Sequence, residues 1–220
     1  MSKQEIIAMV LEQDNDAVSA KISTISEEDL PEGDVTVRID YSTLNYKDAM
    51  ILKGIGKLVR KFPHVPGVDF SGVVEKSSSA QFSEGDRVVL NGWRVGEARW
   101  GGYSQKTRVN SQWLVHVPDN FTNAQAMGIG TAGYTAMLAI SALEKNGLSV
   151  EDEGEVLVTG AAGGVGSIAV AILSSLGYRV AASTGREEAG EYLIDLGATA
   201  IISRKELEEE ISSPLSSQRW

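Results

Sequence analysis

The sequence predicts two domains, an all-β unit over residues 1–122 and an incomplete α/β unit over residues 123–220. Two observations support this division. Short apolar runs separated by Gly- and Pro-containing turns fill the first part, which is typical of a small barrel-like all-β unit. Strands and helices alternate in the last part, as they do in the βαβαβ half of a doubly wound parallel sheet.

Five apolar runs of the first part are predicted strands, with turn-forming residues between them. They are residues 6–11, 35–41, 72–74, 87–90 and 113–117. The turns include the sequences Pro31-Glu32-Gly33-Asp34, Glu84-Gly85-Asp86 and Trp100-Gly101-Gly102. Residues 45–53 are predicted to form one short helix inserted among the strands.

The second part opens with residues 124–144, which are rich in Ala, Met, Leu and Ile and predict one helix or two in series. A stop signal follows at Lys145-Asn146-Gly147, with a cation near the helix end and glycine beyond it. Strands are then predicted at residues 155–159, 179–183 and 200–202, helices at 164–176 and 187–196, and a helical acidic tail at 205–211. Because a doubly wound domain needs two such halves, we expect the chain to be a fragment. The alternative is a minimal unit completed by another chain.

The composition limits the partners and the chemistry. A net charge of −10 disfavours binding to nucleic acids and anionic membranes. The absence of cysteine excludes disulfides, thiolate nucleophiles and cysteine-ligated zinc. The two histidines, His64 and His116, are interpreted as structural. Residues 1–10 do not resemble a signal peptide, and the longest apolar stretch, near residues 168–173, is too short to span a bilayer. A cytoplasmic protein is expected.

The segment Thr159-Gly160-Ala161-Ala162-Gly163-Gly164-Val165-Gly166-Ser167 lies between a predicted strand and a predicted helix. A glycine cluster alone could be a flexible turn. In this context, however, glycines let the backbone approach a pyrophosphate, which the amides at the start of the helix then hold. Gly163, Gly164, Val165, Gly166 and Ser167 are therefore predicted to bind a dinucleotide.

The end of the next strand distinguishes NADP from NAD. An NAD site typically places a carboxylate there to accept the ribose hydroxyls. This strand instead ends in Ser183-Thr184-Gly185-Arg186, two hydroxyls and a guanidinium suited to a 2′-phosphate. The sequence thus favours NADPH. A second interpretation, compatible with the first, is that Ser183 and Thr184 cap the helix that begins near Glu187.

The glycine segment also fits the short-chain dehydrogenase fingerprint Thr-Gly-x-x-x-Gly-x-Gly. That family places the fingerprint near the amino terminus and follows it with a Tyr-x-x-x-Lys pair. Here 158 residues precede Thr159, and none of the six tyrosines is followed four residues later by lysine. The short-chain interpretation therefore fails.

Four segments together resemble the medium-chain dehydrogenase/reductase superfamily over essentially the whole chain. They are residues 66–74 (PGVDFSGVV), 82–88 (FSEGDRV), 128–136 (GIGTAGYTA) and the Ala-Ala-Gly-Gly-Val-Gly turn. Without cysteine ligands the chain resembles the zinc-free quinone reductase side. The sequences Leu44-Asn45-Tyr46-Lys47-Asp48, Asn91-Gly92-Trp93 and Trp100-Gly101-Gly102 are similar to its acrylyl-CoA reductase branch, also labelled quinone oxidoreductases.

The resemblance implies a GroES-like β-barrel domain followed by half of a Rossmann domain, in proteins about half as long again. It implies a metal-free NADPH-dependent reductase of an activated C=C bond, as in acrylyl-CoA, or of a quinone. Tyr46 would donate a hydrogen bond near the nicotinamide, supported by Asn45 and Asp48, with Lys47 as a weaker electrostatic helper. Alternatively, Asn45 and Asp48 cap a short helix and Tyr46 packs beneath it. Thr131 and Arg204 would be further cofactor contacts, although Arg204 could equally be a surface cation.

A second hypothesis is an NADP-binding module without catalysis, such as a sensor or scaffold. The expected partners are a small-molecule substrate, an enoyl-CoA or a quinone, and, as in relatives, a second copy in a homodimer.

Overall fold

The structure, a computed structural model, describes residues 5–15 and 17–208. The chain forms two compact units, Met1–Thr131 and Ala132–Trp220. The boundary predicted from the sequence, after residue 122, precedes a helix that continues through residue 131. The structural boundary lies within that helix because its first residues belong to the first unit.

Antiparallel strands dominate the first unit. Strands β1 (Glu5–Asp14) and β2 (Ala17–Ser26) form a hairpin in which Glu5 is opposite Ser26. A five-stranded sheet follows, in the order β6-β3-β4-β5-β7. Its strands are β3 (Val35–Tyr41), β4 (Asp69–Ser77), β5 (Arg87–Asn91), β6 (Lys106–Val109) and β7 (Val115–His116).

The core of the first unit follows from the alternation of apolar side chains along β3 and β4. Val35, Val37, Phe70 and Val74 are fully buried and pack in one cluster. The single α-helix before β4, α1 (Tyr46–Leu52), buries Ile51 in a second cluster with Leu11 and Val68. Burial of Ile51 and of Asp48 holds α1 against the unit.

The second unit is a parallel α/β layer. Strands β8 (Val156–Val158), β9 (Val180–Thr184) and β10 (Ala200–Ser203) pair in the order β10-β9-β8. Helices α3 (Gly164–Ser175) and α4 (Gly190–Asp195) connect them, and α5 (Arg204–Glu208) follows β10. The predicted βαβαβ arrangement is confirmed, and all three strands end at one edge of the sheet.

Helix α2 (Asn123–Lys145) is broken at Gly130, whose φ of 53° and ψ of −163° are not helical. By length and composition alone it is apolar enough to cross a membrane, which was not expected from the sequence. The unbroken piece, residues 131–145, is about 22 Å long, short of the ~30 Å of a bilayer core. In α2, Ala136 and Ile140 are buried, but Tyr134, Met137, Leu138 and Leu143 are exposed, so the helix is only partly buried.

Some elements differ from the sequence-based expectation. Strands β2 and β6 were not predicted, and the strand expected at residues 113–117 divides into a 3₁₀ turn, Ser111–Trp113, and the short β7. The helix expected from residue 187 begins with the 3₁₀ turn Glu187–Ala189. Of the predicted acidic tail, residues 205–208 lie in α5 and residues 209–211 lie outside the described residues.

Candidate functional site

The glycine turn between β8 and α3 brings two stretches of backbone into close contact. Gly160 has a φ of 60°, in the left-handed region that glycine adopts without strain, and its carbonyl accepts the Gly163 N–H at 2.9 Å. A Cβ on Gly166 would lie 2.4 Å from that carbonyl oxygen and 2.7 Å from the Ala161 Cα. Only glycine at position 166 therefore allows α3 to start this close to the strand.

The start of α3 is suited to an anion. The first N–H groups of a helix lack intrahelical acceptors and carry the positive end of its dipole. Gly163 is the N-cap and contributes no side chain, and no acidic residue lies in the first turn. Ser167 is buried and its hydroxyl donates to the Gly164 carbonyl at 3.3 Å, so this side chain tightens the first turn. Gly164 and Val165 supply amides there.

A cleft of about 620 Å³ opens beside this turn, where β8, β9 and β10 end. Half of the residues predicted to hold the cofactor line it together, including Arg186 and Arg204, which come from different strand ends. The lining residues are Thr159, Gly160, Ala162, Gly163, Ser183, Thr184, Gly185, Arg186, Arg204, Leu207 and Glu208. Gly164, Val165, Gly166 and Ser167 form the adjoining helix start and are not in the lining.

The charges of the cleft favour a phosphate. Among the residues that the structure describes, the one acid in its lining is Glu208, and that carboxylate accepts from Arg204 Nε at 2.8 Å. Neither Glu187 nor Glu188, which lie in the 3₁₀ turn, lines the cleft. A carboxylate at the tip of β9, the usual acceptor for NAD ribose hydroxyls, is thus replaced by Arg186.

The hydroxyls at the end of β9 shape the turn more than they cap a helix. Ser183 and Thr184 are buried, and Thr184 Oγ1 accepts the Arg186 N–H at 3.0 Å. The N-cap position of the following 3₁₀ turn is Arg186, which makes no side-chain cap hydrogen bond. Ser183 and Thr184 therefore do not occupy the N-cap position. Thr184 instead holds the turn that carries Arg186.

A second group of predicted residues lies at the start of α1, in the first unit. Asn45 is the N-cap, and its N–H donates to Asp48 Oδ2 at 2.9 Å in a capping box. The other Asp48 oxygen accepts the Val68 N–H at 3.1 Å. Asp48 is 1% exposed, and burial raises the pKa of its carboxyl group. Asp48 thus fixes α1 and does not face solvent.

Tyr46 and Lys47 are the outward residues of this first turn. The Tyr46 side chain is 84% exposed, so it does not pack beneath the helix, and its phenol is accessible. Lys47 Nζ donates to Glu97 Oε1 at 2.8 Å. Tyr46 remains the predicted ligand contact of this turn.

Asp69, which was not predicted as a site residue, is a fully buried carboxylate at the start of β4. Its oxygens accept from the Thr43 N–H and hydroxyl at 3.0 and 2.8 Å, from Asn45 Nδ2 at 3.3 Å, and from the Thr131 N–H and hydroxyl at 2.9 and 2.7 Å. Thr131, predicted as a cofactor contact, is thus engaged with Asp69. The signal was available, since Asp69 is the one acid in the otherwise apolar sequence from Val65 to Phe70.

Both histidines contact neighbouring groups of the first unit. His64 is 3% exposed, and its Nε2 lies 2.8 Å from the Gly96 carbonyl; burial lowers the pKa of His64. His116 stacks on Phe82 with ring centroids 4.5 Å apart. Over residues 5–15 and 17–208, no group of three or more His, Asp or Glu side chains is placed to hold a metal ion.

Known proteins resemble both the first and the second unit of this chain. Residues 31–119 match the alcohol dehydrogenase GroES-like domain. The acrylyl-CoA reductase of Ruegeria pomeroyi is 55% identical over 215 residues, which are 97% of this chain and 65% of that protein. The chain thus spans less than two thirds of that relative's length.

Solved structures extend the likeness. The YhdH oxidoreductase of Salmonella enterica, in complex with NADP, is 50% identical with a TM-score of 0.92, over 97% of this chain and 65% of that chain. The Bacillus subtilis protein YhfP, with NAD bound, is 45% identical with a TM-score of 0.93, over 99% of this chain and 66% of that chain. These matches confirm the predicted resemblance and fold class. Over 97% of its length the chain is therefore similar to members of the medium-chain dehydrogenase/reductase superfamily, among them an acrylyl-CoA reductase.

Proposed function

We propose that the protein is an NADPH-dependent reductase that acts on an activated C=C bond, in an enoyl thioester such as acrylyl-CoA, or on a quinone. The observation that carries the proposal is the cleft at the carboxyl ends of β8, β9 and β10, where Arg186 and Arg204 take the place of a carboxylate. The Ruegeria relative is named an acrylyl-CoA reductase. From that name and from the NADP complex of the Salmonella protein, we propose the same substrate class and the same cofactor for this chain.

The residues fit the cofactor at two points. The amides of Gly164, Val165 and Gly166 at the start of α3 suit a pyrophosphate. A side chain at position 166 would collide with the Gly160 carbonyl, so glycine there lets α3 start close to the strand. Arg186 and Arg204 offer guanidinium groups that match phosphate oxygens and would hold the 2′-phosphate, with Ser183, Thr184 and Gly185 around it. YhfP was solved with NAD, so the choice of cofactor is the part to test first.

Bound NADPH would supply the hydride, which adds to the β-carbon of the enoyl thioester, while a proton from solvent or a side chain adds to the α-carbon. For a quinone, one hydride and one proton give the hydroquinone. Charge develops on the thioester or quinone oxygen during hydride addition, and hydrogen-bond donors stabilise it. We propose that the exposed phenol of Tyr46 is such a donor.

The other residues at the start of α1 have supporting roles in this proposal. Asn45 and Asp48 hold the first turn through the capping box, and the buried Asp48 also accepts the Val68 N–H. Lys47 adds positive charge, partly neutralised by Glu97 at 2.8 Å. Thr131 acts through Asp69, which binds both its N–H and its hydroxyl. We propose a cytoplasmic location and a homodimer, as expected from the sequence.

Comparative binding tests the cofactor. NADPH and NADH are titrated into the wild type, Arg186→Ala and Lys205→Ala, the last being a neighbouring cation that does not line the cleft. Loss of a charge-assisted phosphate contact is expected to weaken NADPH binding about 10- to 100-fold. NADH affinity should stay as it is, and Lys205→Ala should match the wild type. Equal affinities for the two cofactors in the wild type would return the assignment to NAD.

A second function, an NADP-binding module without hydride transfer, has one observation in its favour. The whole cleft lies within a chain that spans 65% of its reductase relative. Turnover separates the two functions: NADPH oxidation is followed with acrylyl-CoA and with a small quinone, side by side, in the complete protein. Reduction of either substrate supports the reductase function. Tight NADPH binding without reduction of either substrate would support the binding module instead.

A further inference from the structure

A cationic cleft in the first unit lies outside the groups described above. It has a volume of about 340 Å³. Three exposed cations line it, Arg60, Lys61 and Arg94, together with the partly buried acid Glu97 and the buried ring of His64. The cleft therefore combines a positive rim with a buried polar wall.

The acid in the cleft does not cancel its positive charge. Glu97 Oε1 accepts from Lys47 Nζ at 2.8 Å, while Arg94 Nε lies 3.7 Å from Oε2. Lys47 is not itself a lining residue, so it offsets Glu97 from outside. His64 has its pKa lowered by burial and is neutral at pH 7. The three lining cations thus keep a net positive charge.

The sequence around the cleft is unusual for so acidic a chain. Residues 49–68 contain Lys53, Lys57, Arg60 and Lys61 and no Asp or Glu, although the net charge of the chain is −10. Like charges this close repel each other, which costs stability when no anion is bound. A bound anion removes that cost, and the local positive field raises its association rate.

We propose that this cleft binds the phosphate-bearing adenosine end of a coenzyme A thioester. The inference rests on the proposed function and narrows it, because a coenzyme A thioester carries a 3′-phosphate and a diphosphate, whereas a simple quinone carries none. Arg60 and Arg94 offer planar guanidinium groups that pair with phosphate oxygens, and Lys61 adds a compact charge. Leu58 and Ala98 supply apolar lining for the nucleoside. The volume lies within the usual range of small-ligand pockets.

The test uses adenosine 3′,5′-bisphosphate, titrated by calorimetry into the chain with NADPH present to fill the other cleft. One equivalent is expected to bind, and the double variant Arg60→Ala/Lys61→Ala should weaken binding about 10- to 100-fold. Lys53→Ala is the matched control, since Lys53 belongs to the same charged segment but does not line the cleft, and it should bind as the wild type does. Inorganic phosphate, titrated alongside, should bind far more weakly.

The outcomes separate this inference from the proposed function. Failure of the bisphosphate to bind, equal binding by the double variant, or equal affinity for inorganic phosphate overturns the inference, whatever NADPH does. If NADPH does not bind, the proposed function falls, and the bisphosphate titration into Arg186→Ala still decides the inference. In turnover, the ratio of kcat/KM for acrylyl-CoA to that for the acrylyl thioester of N-acetylcysteamine should fall at least about tenfold in the double variant.

Discussion

At the scale of single residues, Asp69 joins three separated parts of the first unit. Its carboxylate receives hydrogen bonds from Thr43, Asn45 and Thr131, which come from the loop after β3, the cap of α1 and the break in α2. Hydrogen bonds to a buried charged group are among the stronger ones in proteins. Asp69 therefore sets the position of the first turn of α1, on which Tyr46 is exposed.

Replacement of Asp69 by alanine should lower the free energy of unfolding by at least about 2 kcal/mol, because several buried donors lose their acceptor. Urea denaturation followed by circular dichroism measures the change. Asp119→Ala is the control: the Asp119 side chain is fully exposed and 3.8 Å from Arg87, so a change within about 0.5 kcal/mol is expected. Similar losses in the two variants would contradict this role of Asp69.

Tyr46→Phe removes only the phenolic hydroxyl. If Tyr46 stabilises the developing anion, kcat/KM of the complete reductase should fall about 10- to 100-fold, while NADPH affinity changes little. Tyr41→Phe provides the comparison, since Tyr41 is 50% exposed on β3 and belongs neither to the cofactor cleft nor to the first turn of α1. Steady-state NADPH oxidation reports both variants. An unchanged rate in Tyr46→Phe would exclude the donor role.

His64 gives the first unit a pH dependence. Burial lowers the pKa of the folded histidine below its ordinary value of 6.5. Below pH 6.5 the unfolded chain takes up a proton that the folded state does not, so stability is present above pH 6.5 and is lost as the pH falls toward the folded pKa. Denaturation from pH 7.5 to 5 should show this slope, and it should be shallower in His64→Gln. His116→Gln, at the exposed ring, serves as the control; equal slopes in wild type and His64→Gln would refute the assignment.

At the scale of elements, the contact between the glycine turn and α3 depends on position 166. Gly166→Ala would place a Cβ 2.4 Å from the Gly160 carbonyl oxygen, and backbone atoms there cannot yield as a flexible side chain would. We expect α3 to shift, stability to fall by about 1–3 kcal/mol and NADPH binding to weaken at least about tenfold. Thermal unfolding and cofactor titration measure the two effects.

Gly190→Ala is the matched glycine variant. A Cβ at Gly190 meets nothing within 4 Å, and its φ of −59° suits alanine at the start of α4. This variant should keep its cofactor affinity and gain up to about 1 kcal/mol of stability. A loss of NADPH binding in both variants would show that the effect is not specific to the turn.

Elements with strong periodicity were predictable, and those fixed by pairing were not. The glycine turn, β9 and α3 lie within a residue or two of their predicted positions because strand, turn and helix signals coincide there. Strand β6, Lys-Thr-Arg-Val, has no apolar alternation and forms because β3 offers it an edge. Strand β2 is mostly exposed and is held by its hairpin partner β1. Residues 124–144 predicted one helix or two in series, and only the backbone dihedrals at Gly130 showed that the helix is broken there.

At the scale of the whole molecule, the proposed cofactor cleft lies in one unit. Its lining residues all follow residue 158, in Ala132–Trp220. Adenosine 2′,5′-bisphosphate, which carries only the adenosine end of NADPH, should therefore slow hydrogen exchange at Gly160, Gly163 and Arg186. The strands β3 and β4 of the first unit should exchange as in the free protein. Mass spectrometry of exchange reads both regions, and protection that survives Arg186→Ala would place the ligand elsewhere.

Sequence alone determined the order of the two folds, the strand–turn–helix that receives a phosphate, and the guanidinium at the tip of β9. Each of these features is predicted from residues that are neighbours in the sequence. Only the tertiary structure showed that Arg186 and Arg204 share one cleft, that Asp69 binds Thr43, Asn45 and Thr131, and that residues 60, 61 and 94 form a cationic cleft. Those relations join positions up to 62 residues apart, and they are fixed by packing and burial, which no local pattern in the chain records.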